Sequence, residues 1–131
     1  MGKRKKNKSI EIKEKKKKKY YSIIKNLKIS PRKIRPLINI LKGKNVFNAI
    51  EILKNYISNK QSKILINLIL STISNFRIKK KKNENEKFLY IHNIIVNSSG
   101  IIKRTIFAPQ GRLNKIRKRL SLIKLEIKIK K

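Results

Sequence analysis

The 131-residue chain has no cysteine, no aspartate and a single histidine, His92. Without cysteine there is neither a disulfide framework nor a thiolate metal site, and the chain needs no oxidising compartment. One histidine leaves too few nitrogen and sulfur donors for zinc, so no metal and no cofactor is expected. The six glutamates stand at 11 and 14, at 84 and 86, and singly at 51 and 126. General acid–base catalysis needs positioned partners within hydrogen-bond reach, which this scatter does not offer. A ribonuclease built on His92 and a lysine is the one enzymatic option, yet a lone strand histidine is more often a surface or half-buried residue. The chain is therefore expected not to be an enzyme. Its four glycines are isolated, which excludes a glycine-rich phosphate loop.

Long apolar runs are missing too. The most apolar stretch, "ILINLIL" at 64–70, is too short to span a bilayer and suits a buried helix. "MGKRKKNKSIEIKEKKKKKYY" at 1–21 lacks the apolar region of a secretory signal. A cytoplasmic protein with no membrane partner is expected.

What is present is positive charge. Lysine and arginine total 38 against 6 acids, a formal net charge of +32. Self-repulsion on that scale opposes a compact state until a polyanion neutralises it. A polyphosphate chain is the natural partner, because lysine and arginine displace its condensed counterions. DNA compaction would fit the charge alone, and a membrane-active peptide would fit only the N-terminal residues. Lysine, isoleucine and asparagine, which dominate the chain, have A/T-rich codons, so part of the lysine excess reflects codon drift. Arginine runs against that drift, and six of its eight copies fall in two places: Arg32 and Arg35, then Arg104, Arg112, Arg117 and Arg119.

Residues 1–19 carry eleven cations and two glutamates, which reads as a basic disordered tail. Residues 20–131 then read as one domain. "YYSIIKNLKI" at 20–29 suits a strand. In "SPRKIRPLINILKG", Ser30 is placed as N-cap, Pro31 as first helical residue and Gly43 as terminator, with Ile34, Leu37, Ile38 and Leu41 on one face. Pro36 lies inside that helix and deletes a bond to the Arg32 carbonyl, so a kink or a late start is expected. A second helix is capped by Asn45 and stripes Val46, Ala49, Ile50 and Leu53. A third runs from about Ser58 to Arg77, burying Leu65, Leu68, Ile69, Thr72, Ile73 and Phe76. "KKKKNENEK" at 79–87 is a polar loop. "FLYIHNIIV" is a strand, "IHNIIVNSSGIIKR" reads as a strand running into a turn, and "IKLEIKIK" alternates Ile123, Leu125, Ile127 and Ile129. Helices on one side of an antiparallel sheet make an α+β domain.

Two basic clusters carry the chemistry. Arg32, Lys33, Arg35, Lys42 and Lys44 flank the first helix. Cations in its first turn oppose the helix dipole, unless a phosphate sits on the free backbone N–H groups there. Lys103, Arg104, Arg112, Lys115, Arg117, Lys118 and Arg119 fill the connection before the last strand, with no acid among them. Mutual repulsion would push this connection into water as a two-stranded arm. Arginine suits it, because a planar fork holds phosphate oxygens bidentately. The uncharged "TIFAP" centre marks an apex distinct from the basic stalk.

Four motifs occur in order: "ISPRKIRPLINILKGKNVFNAIEIL", "IIVNSSGIIKR", "APQGRLNKIRKR", and a terminal strand after "KR-x-S". In these the chain resembles the universal L-twenty-two family of large-subunit ribosomal proteins, in its bacterial form, over roughly residues 20–131. The resemblance implies three helices packed on a small antiparallel sheet, with a long protruding basic β-hairpin at about 95–118. It implies a structural constituent of the large ribosomal subunit that binds its rRNA, aids assembly and reaches the nascent-peptide exit tunnel with the hairpin tip. Partners would be large-subunit rRNA, neighbouring ribosomal proteins around the tunnel and, transiently, the nascent peptide. By motif match, Arg32, Lys33, Arg35, Gly111, Arg112, Arg117, Lys118 and Arg119 carry over as rRNA contacts. Lys103 and Arg104, with Thr105, Ile106 and Phe107, fall near the tunnel-proximal tip. The chain departs from the family in placing Ile106, Phe107 and Ala108 where further arginine is common, and in Pro36. Its "APQGR" and "MGKRKK" forms, with the codon bias, favour a bacterium with a reduced, AT-rich genome over an organelle.

Overall fold

The computed structural model describes residues 8–10, 19–56, 59–79 and 86–130. Among the described residues, three strands and three substantial helices follow in the order β1 (Tyr20–Leu27), α1 (Pro31–Leu41), α2 (Val46–Asn55), α3 (Asn59–Lys79), β2 (Leu89–Phe107) and β3 (Leu113–Ile129). The strands form one antiparallel sheet in the order β1-β3-β2. The expected α+β architecture is what the chain adopts. Most of the expected tail at 1–19 and of the polar loop at 79–87 lies outside the described residues.

Sequence periodicity explains which face of each element is inside. Ile34, Leu37, Ile38 and Leu41 of α1 are buried, as are Val46, Ala49 and Leu53 of α2. Leu65, Leu68, Ile69, Ile73 and Phe76 of α3 complete the helical side of the core. The sheet answers with Leu89, Ile91, Ile94, Ile123, Leu125 and Ile127, so the helices all share one core with one face of the sheet. A polar bridge ties α3 to β1: the Ser22 and Thr72 hydroxyls lie 2.5 Å apart, and both reach the Leu68 carbonyl, at 3.1 and 2.7 Å. The Tyr20 ring meets Phe76 edge-on at 4.9 Å.

Caps fall where expected, with one difference. The Asn45 side chain accepts from the Phe47 N–H at 3.0 Å, and Gly43 takes the left-handed conformation (φ 80°) just beyond α1. Ser30 precedes α1 but makes no side-chain cap bond. Nor does Pro36 delay the helix, which runs from Pro31 through it to Leu41. Residues 32 and 36 both lie on the exposed side, where the carbonyl that proline leaves without a donor is open to solvent.

Within "IHNIIVNSSGIIKR", the stretch expected to run from a strand into a turn, β2 has a bulge and no turn. The β2–β3 register shifts once between Ser98 and Gly100, and β2 then continues to Phe107. Beside it, Asn26 adopts a positive φ of 54° at an irregularity in β1, and the Ser99 hydroxyl bonds the Asn26 side chain. β1 stops pairing at Leu27↔Ser121. From Gly100↔Leu120 outward, β2 and β3 continue as a two-stranded arm.

Candidate nucleic-acid interface

The arm holds eight cross-strand pairs, from Gly100↔Leu120 to Phe107↔Leu113. At about 3.4 Å per residue they extend it by about 24 Å. Its end is a tight turn in which the Ala108 N–H bonds the Arg112 carbonyl at 2.8 Å. Gln110 (φ 63°) and Gly111 (φ 69°) are both left-handed. Gly111 has no side chain to offer a phosphate, so its contribution is to let the turn close.

This geometry redraws the expected apex. The turn is Ala108–Arg112, not the "TIFAP" centre, and Thr105, Ile106 and Phe107 are the last residues of β2. Arg112 moves from the stalk to the apex. Lys103 and Arg104 pair with Arg117 and Ile116, so they belong to the stalk. Phe107 is the most exposed large apolar side chain of the described residues, at 91%.

Strand alternation gives the arm two different sides. β3 runs without a register shift from its buried residues Ile123, Leu125 and Ile127 out to Leu113. Arg119, Arg117 and Lys115 therefore continue the helix-facing side, joined across the ladder by Ile101, Lys103 and Thr105. The opposite side carries Lys118 and Arg104 among Leu120, Ile116, Ile102 and Ile106.

At the root of the arm one member of the first cluster, Lys33, meets the second. A groove of about 470 Å³ is lined by Lys28, Ile29, Ser30, Lys33, Lys60, Gln61, Arg117, Lys118 and Arg119. It joins the loop after β1, the N-terminal turn of α1, the start of α3 and the base of β3. A second concavity of about 300 Å³, farther out, is lined by Lys103, Arg104, Thr105, Lys115 and Arg117. No acid lines either one. Lys42 and Lys44 are not gathered there: they follow the far end of α1, about 16 Å along its axis. Their loop is fastened to the β2 edge through Gly43 N–H to Ile91 O (3.0 Å) and Ile91 N–H to Lys44 O (2.9 Å). Arg32 and Arg35 are exposed on α1 outside the groove. Lys28 and Lys60 escaped the sequence reading, because in so lysine-rich a chain nothing distinguishes them until the fold brings them beside Lys33 and Arg117.

The remaining candidates fall away from this region. His92 is exposed, with its Nε2 2.9 Å from Lys128 Nζ and its ring edge-on to Tyr90. Among the described residues no three His, Cys, Asp or Glu side chains come together, and no helix is long and apolar enough to cross a membrane. Arg77 is spent internally: its Nε and Nη2 hold the two Glu86 oxygens at 2.5 and 2.8 Å. That hydrogen-bonded pairing draws the Glu86 carboxyl below its ordinary value.

The family model described as "Ribosomal protein L22p/L17e" matches residues 22–128. The chain belongs to the ribosomal protein L22p/L17e family. That family is structural and non-enzymatic. Among curated relatives, large ribosomal subunit protein uL22 of Karelsulcia muelleri (strain GWSS) is 39% identical over 118 residues, covering 88% of this chain and 87% of the relative. The uL22 protein of Christiangramia forsetii is 36% identical over 126 residues, 95% and 93% of the two chains. That of Porphyromonas gingivalis is 35% identical over 120 residues, 91% and 88%. The match to the L22p/L17e family runs from within β1 to within β3 and includes the whole arm.

Proposed function

We propose that the chain is a structural constituent of the large ribosomal subunit that holds large-subunit rRNA in the groove at the arm's root and along the arm's helix-facing side. The observation that carries this is the convergence of Lys33 with Arg117, Lys118 and Arg119 in one acid-free groove. Lys33 and the Arg117–Arg119 stretch, some eighty residues apart in sequence, come together only in the fold, in the arrangement a bent phosphate backbone would fill. Arg117 and Arg119 supply bidentate forks, while Lys28, Lys33 and Lys60 act as point charges. The residues at 1–19 add a basic tail to the single domain at 20–131. Arg32, Arg35, Lys42 and Lys44 make separate phosphate contacts on the domain. As the family resemblance implies, the arm's end reaches the nascent-peptide exit tunnel. There, Phe107 and the Ala108–Arg112 turn face the passing chain, with Thr105 and Ile106 behind them and Lys103 and Arg104 gripping rRNA below. Neighbouring large-subunit proteins complete the setting, in the ribosomes of a bacterium.

The test is the salt dependence of binding to large-subunit rRNA. Neutralising Lys28, Lys33, Arg117 and Arg119 together removes four phosphate contacts, which lowers the log–log slope by about 3. The same variant drops out of large subunits in a high-salt wash that the wild-type chain withstands. An unaltered slope would mean that the groove touches no phosphate.

A further inference from the structure

A further concavity lies at the end of the sheet opposite the arm. It holds about 440 Å³ and is lined by Gly43, Asn45, Phe88, Tyr90 and Lys130. The loop between α1 and α2 makes one wall, and the start of β2 with the end of β3 makes the other. Backbone bonds fix both walls: Gly43 N–H to Ile91 O at 3.0 Å, Ile91 N–H to Lys44 O at 2.9 Å, and Lys130 N–H to Phe88 O at 2.9 Å. The cleft is thus built before any ligand enters. Gly43, at φ 80°, presents no side chain to it, and a Cβ there would meet nothing within 4 Å. Phe88 is 56% exposed, yet it closes a short 3₁₀ turn, Glu86–Phe88, whose first residue is held by the Arg77 guanidinium. Tyr90 lines the same cleft two residues later. Cations surround these rings: Lys130 lines the cleft, and Lys42 and Lys44 are exposed on either side of Gly43. No acid is among the lining residues.

A lone exposed aromatic is ordinary on a protein surface, so the combination decides. A bare phosphate would use the lysines and leave Phe88 idle. An apolar peptide would use the ring and leave the lysines unanswered. A nucleotide carries a flat π face and an anion on one sugar, so it uses both. Resting on the rRNA reading above, we propose that the cleft receives one unpaired base of large-subunit rRNA, stacked on Phe88, with its flanking phosphates on Lys42, Lys44 and Lys130. The groove at the arm's root binds charge, whereas this cleft binds a π face. Its partner is therefore a base already out of the helical stack, in a loop, a bulge or a strand end.

Phe88→Ala removes no charge, so it separates stacking from phosphate contact. Affinity of the full chain for isolated large-subunit rRNA is expected to fall at least about fivefold, the loss of one base–aromatic stack, while the log–log salt slope stays unchanged. Phe88→Leu keeps the apolar bulk and should lose as much, whereas Phe88→Trp keeps a π face and should hold wild-type affinity. Because the chain has no tryptophan, that indole is also a single reporter. A short single-stranded oligoribonucleotide should quench its fluorescence, and inorganic polyphosphate of equal charge should not. Unaltered affinity in Phe88→Ala, wild-type affinity in Phe88→Leu, or equal quenching by both polyanions would each overturn the proposal. In complete large subunits, ultraviolet irradiation should join position 88 to an unpaired nucleotide. An adduct with a ribosomal protein, or none, overturns the proposal. Each of these failures leaves the groove standing, since its own variant is read by the salt slope. A wild-type chain that binds no large-subunit rRNA would overturn the groove and the cleft together.

Discussion

The same two strands pair twice in this molecule, under opposite conditions. Between Leu89 and Ser98, β2 lies against β3 over buried Ile91, Ile94, Ile123 and Leu125, with β1 on the far side and helices behind. Between Gly100 and Phe107 the ladder continues with no third strand and no core, and Lys103 stands directly opposite Arg117. Hydrogen bonding is alike in both halves. What differs is what lies behind the ladder: hydrocarbon in one, water and like charge in the other. Backbone pairing alone is thus not what stabilises the domain, and the arm must draw part of its stability from a partner.

The comparison breaks most sharply under truncation of apolar side chains. Leu125→Ala, at a position with no exposure, is expected to cost about 2–5 kcal/mol in urea unfolding, from lost transfer energy plus the cavity left behind. Ile102→Ala in the arm should stay within about 0.5 kcal/mol, as for a surface position. Similar losses at the two sites would show that the arm and the domain unfold as one unit.

Amide exchange sharpens it further. Like charges directly opposite one another destabilise a strand pair, so at low salt the amides of 101–107 and 113–119 should exchange orders of magnitude faster than those of Ile94 and Leu125. Adding large-subunit rRNA should slow the arm and leave the core unchanged. Strong protection of the arm in the free chain would instead mean that it is a preformed rigid hairpin.

The domain was far more legible in the sequence than the site. Helical spacing marked the buried faces of α1, α2 and α3, and the alternation of Ile123, Leu125 and Ile127 marked β3, because burial imposes a period on sequence. Exposure imposes none. Past Ser98 the strands have no buried face to set a hydrophobic period, so the length of β2 was not legible in "IHNIIVNSSGIIKR", and the apex was sought at "TIFAP" instead of Ala108–Arg112. Arginine clustering identified the β3 side of the groove, Arg117 and Arg119, while Arg32 and Arg35 lie outside it. Lys28 and Lys60 join it only through the packing of α1 and α3 against the base of the arm, a relation between distant residues that no local pattern encodes.

At the arm's end the expected effect is smaller and local. Gly111→Ala puts a side chain at φ 69° with nothing within 4 Å to clash with, so its cost is purely conformational, about 1 kcal/mol. The urea midpoint should not move, because the arm contributes little to the core. Affinity for rRNA should fall several-fold, as the turn must be held closed at the expense of binding. A shifted midpoint with unchanged affinity would reverse the assignment of this turn to function.

The smallest effect separates an arginine the domain uses for itself from those it leaves free. Arg77 holds Glu86 bidentately, while no acid lines either concavity containing Arg117. Arg77 is exposed and Glu86 half-buried, so screening keeps the pair's contribution small. Its sign is fixed all the same. Arg77 lowers the folded carboxyl of Glu86 from 4.5, so the pair adds stability above that value and loses it as pH falls through the folded value. Glu86→Gln should therefore lower the thermal midpoint slightly at neutral pH, and the difference from wild type should close as pH falls below the lowered folded value of the carboxyl, where it is protonated in both states. Arg117→Ala should behave oppositely. With no carboxylate to lose, and one like charge fewer opposite Lys103, its midpoint should stay level or rise at every pH. An acid-sensitive loss of stability in Arg117→Ala would mean that the arm's arginines are engaged by the chain itself and are not free for an outside polyanion.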